Sequence, residues 1–175
     1  MRRINPLVFA AVAALIAAGA ARAETKVELK GTHLCCGACV KAVGTILKEI
    51  DGVKPSCDTK TKTITIVAKD DETAQKALDA LAAGGFHGDT GNETLKQKDD
   101  SGASAGKVKS LTLTGVHNCC GQCASAIKAA VKKVDGASAD SLKGKQDTFE
   151  VTGDFDAAEL VKALNAAGFH VKVKK

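Results

Sequence analysis

The pattern of apolar and polar residues predicts a strand followed by a helix near the start of the folded chain. Polar and apolar residues alternate over residues 26–30, which is the period of a half-buried strand. Further on, three apolar residues recur at intervals of four and three, the spacing of one helix face: Val43, Leu47 and Ile50. Asp51-Gly52 is a typical helix stop, so we expect the first helix to end there.

Two more strands and a second helix are predicted next. Residues 63–68 begin with alternating threonine and isoleucine, which favours a strand. Residues 53–58 are also extended, and Pro55 indicates an edge strand because proline has no N–H to donate. Acidic residues at 70–72 suit a helix start, and its buried face is predicted to hold Ala74, Leu78 and Leu81. Phe86-His87 then begins a short last strand.

The same order of elements returns in the second half of the chain. A strand with Leu111 and Leu113 precedes a helix whose predicted face holds Ile127, Val131 and Val134. Phe149 and Val151 alternate on a later strand, and Asp156 is placed to cap the next helix, with Glu159 three residues on. Gly168-Phe169-His170 repeats Gly85-Phe86-His87 and is expected to start the last strand. The chain is therefore two copies of one unit.

Strand, helix, strand, strand, helix, strand is the split βαβ pattern, which places two helices on one face of an antiparallel sheet. The predicted fold class is α+β, with two ferredoxin-like βαββαβ sandwich domains over residues 24–90 and 107–175. Residues 91–106 are polar and small with almost nothing to bury, and are predicted to form a flexible linker.

The first 23 residues have the three parts of a secretory signal. Arg2 and Arg3 precede an apolar run, and small residues surround the expected cleavage point after Ala23. The apolar run of 16 residues is shorter than the roughly 20 that a spanning helix needs. We expect export across the inner membrane, a periplasmic location and no stable membrane insertion after the signal is cleaved.

Once the signal is set aside, the net charge of the chain does not indicate a particular class of partner. All arginines lie within it, which leaves 22 of the 25 basic side chains against 20 acidic ones. The remaining chain has no arginine, tryptophan or tyrosine, the side chains that usually read nucleic acids by forked hydrogen bonds and stacking. We therefore expect no nucleic-acid partner.

Six of the seven cysteines are bunched in two loops, each between a predicted strand and the start of a helix. The first loop reads His33-Leu34-Cys35-Cys36-Gly37-Ala38-Cys39, and the second His117-Asn118-Cys119-Cys120-Gly121-Gln122-Cys123. Disulfide frameworks spread their cysteines along the chain, whereas a bridge within five residues staples almost nothing. At a helix N-terminus the thiolate is favoured, and thiolates select soft ions such as Cu(I), Zn(II) and Hg(II).

These loops resemble the metal-binding loop of heavy-metal-associated (HMA) domains, found in copper chaperones, in the N-terminal arms of metal-pumping ATPases and in the periplasmic mercury-binding protein. The family carries Gly-Met-x-Cys-x-x-Cys between its first strand and first helix. The matching cysteines here are Cys36, Cys39, Cys120 and Cys123. The resemblance covers nearly all of both repeats. It implies that these four cysteines bind a soft metal ion, with one ion per domain.

The loops also depart from that family pattern. The methionine position holds Leu34 in the first loop and Asn118 in the second. Cys35 and Cys119 are additional thiols, so a site with three sulfur ligands per loop becomes possible, as does a Cys3His zinc site that includes His33 or His117. The alternative for each additional cysteine is a place in the core as a small apolar residue.

Three other residues have open roles at this stage. His87 and His170 follow the Gly-Phe pairs and lie at the sheet edge near the cysteine loops, where they are candidates to support the ligands, or simply surface histidines. Cys57 has no counterpart in the second copy and is expected to be an ordinary strand residue rather than a free thiol for intermolecular pairing.

The sequence thus predicts an exported protein that sequesters a soft metal ion or transfers it to a metal transporter or another metal-exchanging protein. It shows no catalytic His/Asp/Ser constellation and no phosphate-binding glycine loop, so we expect a binding protein and not an enzyme. The alternative is a periplasmic thiol-disulfide redox protein or redox sensor, because Cys-x-x-Cys at a helix N-terminus is also the thioredoxin arrangement.

Overall fold

The computed structural model describes residues 23–174, which form two similar α/β units in succession. The first unit contains β1 (Thr25–Lys30), α1 (Gly37–Leu47), β2 (Val53–Asp58), β3 (Thr63–Ala68) and α2 (Asp71–Ala83). The second unit contains β4 (Lys107–Thr114), α3 (Gly121–Val131), β5 (Ala137–Ser138), β6 (Phe149–Asp156), α4 (Ala157–Ala166) and β7 (Lys172–Val173).

The sheets have the strand orders expected of ferredoxin-like domains. The first is β1-β3-β2 and the second β5-β6-β4-β7, with all pairs antiparallel. In each unit the two helices pack on one another and on the sheet, α1 with α2 and α3 with α4. The predicted α+β class and repeat are confirmed.

The predicted helix faces are buried, but α1 and α3 end before Ile50 and Val134, the last residues predicted for them, and Ile50 is only half-buried. Val43 and Leu47 of α1, and the α2 residues Ala74, Leu78 and Leu81, have no exposed surface. Asp70 caps α2 by accepting a hydrogen bond from the Thr73 backbone N–H, and Asp156 caps α4 through the backbone of Ala158 and Glu159. Pro55 lies on β2, which pairs only with β3 among the described strands and is an edge strand as predicted.

The predictions for the last strand of each unit are wrong in detail. Phe86 and Phe169 do not start strands of their own sheets, but form an isolated antiparallel bridge with each other across the two units. In the second unit the strand begins later, at Lys172. In the first unit its place beside β1 is taken by a single bridge between Lys30 and Asp89. The glycine carbonyls and the histidine N–H groups of the two Gly-Phe-His segments form hydrogen bonds with the other domain instead.

The segment 91–106 has no helix or strand, yet it is packed against both units. Leu95, Gln97 and Ser101 are buried within it. The Gln97 side chain donates to the carbonyls of Leu78 and Phe86, and accepts from the N–H of Gly88. The composition of this segment predicted almost nothing to bury and a flexible linker. Composition alone does not show that the Gln97 side chain can form hydrogen bonds with three backbone groups.

The predicted export signal lies outside the described residues except for Ala23. Between residues 23 and 174 no helix has the length and apolar character needed to cross a bilayer.

Replacement of Gln97 by alanine is expected to lower the free energy of unfolding by about 1–3 kcal/mol, because it leaves buried backbone groups without partners. Urea denaturation followed by circular dichroism measures the change. Lys98→Ala, on a neighbouring exposed position, is the matched control and should change stability by less than about 0.5 kcal/mol. Equal effects of the two substitutions would contradict a packed segment.

Candidate metal centre

Each cysteine loop turns from a strand into the first turn of a helix. Cys36 and Cys120 are the residues before α1 and α3, and both have extended backbone angles with no side-chain cap. Three residues later, Cys39 and Cys123 point into the domain and have no exposed surface. The remaining loop thiols, Cys35, Cys36, Cys119 and Cys120, are half-buried. Both helix N-termini, with their unpaired N–H groups, therefore face the thiols.

Two glycines bring the loops together. The Gly168 carbonyl accepts hydrogen bonds from the backbone N–H groups of His33 and His87, while the Gly85 carbonyl accepts one from His170. Both glycines have positive φ angles, +82° for Gly85 and +89° for Gly168. A Cβ on Gly85 would collide with the backbone nitrogen of His117, and one on Gly168 with that of His33. Only glycine fits at this close approach of the two backbones.

Aromatic stacking stabilises the same interface between the two domains. The His33 ring stacks on Phe169 with ring centroids 4.4 Å apart, and the His117 ring stacks on Phe86 at 4.2 Å. Each loop histidine thus packs against the phenylalanine of the opposite domain. Both phenylalanines are fully buried. These contacts fix the orientation of the two loops toward each other.

The six loop sulfurs form one cluster between the domains. Within the loops, neighbouring sulfurs are 3.6–3.7 Å apart in the pairs Cys35–Cys39, Cys119–Cys123 and Cys120–Cys123. Between the loops, the distances are 3.5–3.7 Å in the pairs Cys35–Cys120, Cys35–Cys123 and Cys39–Cys119. All are free thiols. This geometry differs from the expected one site per domain, because residues of both loops share the same space.

Four groups of ligand atoms lie close enough to hold a metal ion, each with all its atoms within 4.8 Å of one another. Their members are His33, Cys35 and Cys123; Cys35, Cys36 and Cys120; Cys36, Cys39 and Cys119; and Cys119, Cys120 and Cys123. All six predicted cysteines are included, and the first three groups contain residues from both domains. The additional cysteines Cys35 and Cys119 thus lie among the candidate ligands, and both are also packed against the core as partly buried residues.

The predicted histidines divide into two kinds. His33 belongs to a ligand group, and its Nε2 is buried without a hydrogen-bond partner within the described chain, as is that of His117. Burial lowers the pKa of His33, so its imidazole stays neutral and able to bind a metal. His87 and His170 belong to none of the ligand groups found in residues 23–174. They stack on each other, and His170 is hydrogen-bonded to Asp100.

Hydrogen bonding and burial shift the pKa values of the loop thiols in different directions. The hydrogen bond with Cys123 lowers the pKa of Cys39 strongly, and the same contact raises the pKa of Cys123. Burial raises the pKa of Cys35 and Cys119, to about 12 for Cys119. The backbone N–H of Cys123 lowers the pKa of Cys120 to about 7. A metal ion must displace protons from most of these sulfurs when it binds.

Sequence reasoning missed the role of Asn118 and of the loop before β6. The Asn118 side-chain amide donates to the carbonyls of Lys143 and Gln146, and the backbone carbonyl of Asn118 accepts from the Lys145 N–H. Gly144 lies against the backbone of Cys120, where a Cβ would be only 2.9 Å from the carbonyl carbon. This loop therefore supports the second cysteine loop. The polar residue at an otherwise apolar position was the available signal.

The second unit also matches a known family. Residues 112–170 match the family model of the heavy-metal-associated domain. No curated protein matches the chain significantly.

Two solved structures of a Bacillus subtilis protein are similar to the chain. The N-terminal soluble domains of CopA are 16% identical, with 87% of this chain and 95% of that chain covered and a TM-score of 0.29. The water-soluble region of the P-type ATPase CopA is 17% identical, with 87% and 93% covered and a TM-score of 0.30. Superpositions this loose carry no argument about how the two domains are arranged here.

The thiols of the reduced, metal-free protein are expected to react with iodoacetamide at different pH values. The lowered pKa of Cys120 makes it a thiolate near neutrality, so its alkylation should rise with pH around a midpoint of about 7. Burial raises the pKa of Cys57, which should react only at higher pH and serves as the internal control. Brief labelling followed by peptide mass mapping measures both. A midpoint for Cys120 at the ordinary thiol value of about 8.5 would contradict this assignment.

Proposed function

From the match of residues 112–170 to the heavy-metal-associated domain, we propose that the protein is an exported binding protein that sequesters soft metal ions or transfers them to a partner. The observation that carries the proposal is the cluster of six cysteine sulfurs, neighbours of which lie 3.5–3.7 Å apart. Thiolates at this density bind soft ions in preference to magnesium or calcium, which prefer oxygen ligands. Cu(I), Zn(II) and Hg(II) are the candidate ions.

The burial of the thiols supports transfer. Cys39 and Cys123 are inaccessible, whereas the other four loop thiols are half-buried. A partner thiolate can therefore reach an ion from the outer side while the inner sulfurs still hold it, and the ion passes by stepwise exchange of sulfur ligands. The partner proposed is a metal transporter or another metal-exchanging protein. The function requires no catalytic step.

Export places this exchange in the periplasm. The support is the signal-like segment before Glu24, with two arginines, an apolar run and a small-residue cleavage point. Expression of the full chain in a Gram-negative host, followed by fractionation and N-terminal sequencing, tests this part. A mature N-terminus at Glu24 in the periplasmic fraction is expected, and uncleaved protein in the cytoplasm would overturn it.

Metal content of the periplasmic protein tests the binding function. Purified anaerobically, it should contain a soft metal ion by plasma mass spectrometry. Replacement of all six loop cysteines by serine should remove that ion. Cys57→Ser is the matched control, since Cys57 lies on β2 outside every ligand group found in the described residues, and it should retain the full metal content. Absence of metal together with failure of the reduced protein to take up Cu(I), Zn(II) or Hg(II) would overturn the proposal.

A further inference from the structure

The six loop sulfurs form one closely packed cluster between the two domains. Each lies near sulfurs of both loops, as a direct neighbour or as a member of the same ligand group. Within the described residues, four pairs share neither a contact at 3.5–3.7 Å nor a ligand group: Cys35 and Cys119, Cys36 and Cys123, Cys39 and Cys120, and Cys39 and Cys123. Each of these pairs takes one sulfur from each domain.

The six sulfurs can be divided into four triangular faces of three sulfurs each. Three of them coincide with ligand groups already described: Cys35, Cys36 and Cys120; Cys36, Cys39 and Cys119; and Cys119, Cys120 and Cys123. The fourth is Cys35, Cys39 and Cys123, in which the Cys35 sulfur is 3.6 Å from that of Cys39 and 3.5 Å from that of Cys123. Any two of these faces share one corner. Every cysteine therefore belongs to two faces.

This arrangement matches the connectivity of a metal–thiolate cluster. One ion on each face has three sulfur ligands, and each sulfur bridges two ions, so that no thiolate is left unused. Three sulfurs in a plane around an ion at about 2.3 Å are about 4 Å apart. The observed distances of 3.5–3.7 Å need only a small expansion to reach that spacing.

We infer that the closed pair of domains is a single site for a cluster of four monovalent soft ions, such as Cu(I), bridged by the six loop thiolates. The inference rests on the proposed function and specifies its cargo. Four charges of +1 against six thiolates leave a net charge of −2, which faces the N-termini of α1 and α3 and is stabilised by the helix dipoles. Four divalent ions would leave +2 there, and zinc prefers four ligands rather than three.

The cluster depends on contact between the domains. Three of the four faces combine sulfurs of both loops, so neither domain alone can build them. The contact itself rests on Gly85 and Gly168, which lie outside the ligand set. Loading is therefore expected to be cooperative, because the first ions hold the two domains in the geometry that the later ions require.

Titration of the reduced full chain with Cu(I) under anaerobic conditions, followed by native mass spectrometry, measures the number of ions. We expect a dominant species with four ions per chain, few intermediates, and a copper–copper distance together with three sulfur ligands in X-ray absorption. Two ions per chain that bind independently, with one lost when either loop is changed to serine, would overturn the cluster while leaving the proposed function intact. Failure to bind any soft ion would overturn both.

A glycine substitution tests whether the shared site needs the contact between the domains, because it leaves all six cysteines in place. Gly168→Ala keeps all six cysteines but pushes against the His33 backbone, so the four-ion species should be lost and loading should fall to the one or two ions that separate loops can hold. Gly91→Ala is the matched control, because Gly91 also has a positive φ of +62° but has open space around it. It should keep four ions.

A second variant and a fold measurement keep this test decisive. Gly85→Ala acts on the opposite loop, at His117, and should have the same effect as Gly168→Ala. Circular dichroism must show that both variants keep the helix content of the parent. Folded Gly85 and Gly168 variants that still bind four ions cooperatively would overturn the inference.

Discussion

The close approach of two glycines to the backbone of the opposite domain is the constraint on which the arrangement of this protein depends. Gly85 and Gly168 each occupy a positive-φ position where a side chain would collide with the other domain's cysteine loop. The bridge between Phe86 and Phe169 follows directly from this approach. With the backbones at that distance, the two sets of three thiols cannot remain separate. They form one cluster of six neighbouring sulfurs.

The interface is stabilised by apolar contacts but leaves polar groups unsatisfied. The Phe86 and Phe169 rings are fully buried and stack on the two loop histidines, an arrangement worth about 0.5–1.5 kcal/mol per aromatic pair. Within the described chain, the Nε2 atoms of both histidines lack partners, and such burial costs roughly 1–3 kcal/mol per group. The closely packed thiols also carry protons that a metal ion must displace when it binds. Metal binding offsets these costs and would strengthen the closed state.

Much of each domain was predictable because the relevant physics is local. The face containing Val43 and Leu47 follows from helical periodicity, and the edge position of β2 follows from Pro55. The caps of α2 and α4 follow from Asp70 and Asp156, whose side chains reach the nearby backbone. The convergence of the thiols within each loop was also predictable, since they lie three or four residues apart at a helix start.

The amino-acid sequence by itself determined two repeated α/β units, their helix faces and two thiol-rich loops. Only the tertiary structure decided that Gly85-Phe86-His87 and Gly168-Phe169-His170 pair across the domains, that Gln97 anchors the segment between the domains, and that six sulfurs form one cluster. The physical reason is the range of the interactions. Periodicity and capping act within a few residues of the chain, whereas the sulfur contacts between the loops join residues 80 to 88 positions apart. Their formation depends on how two complete domains pack.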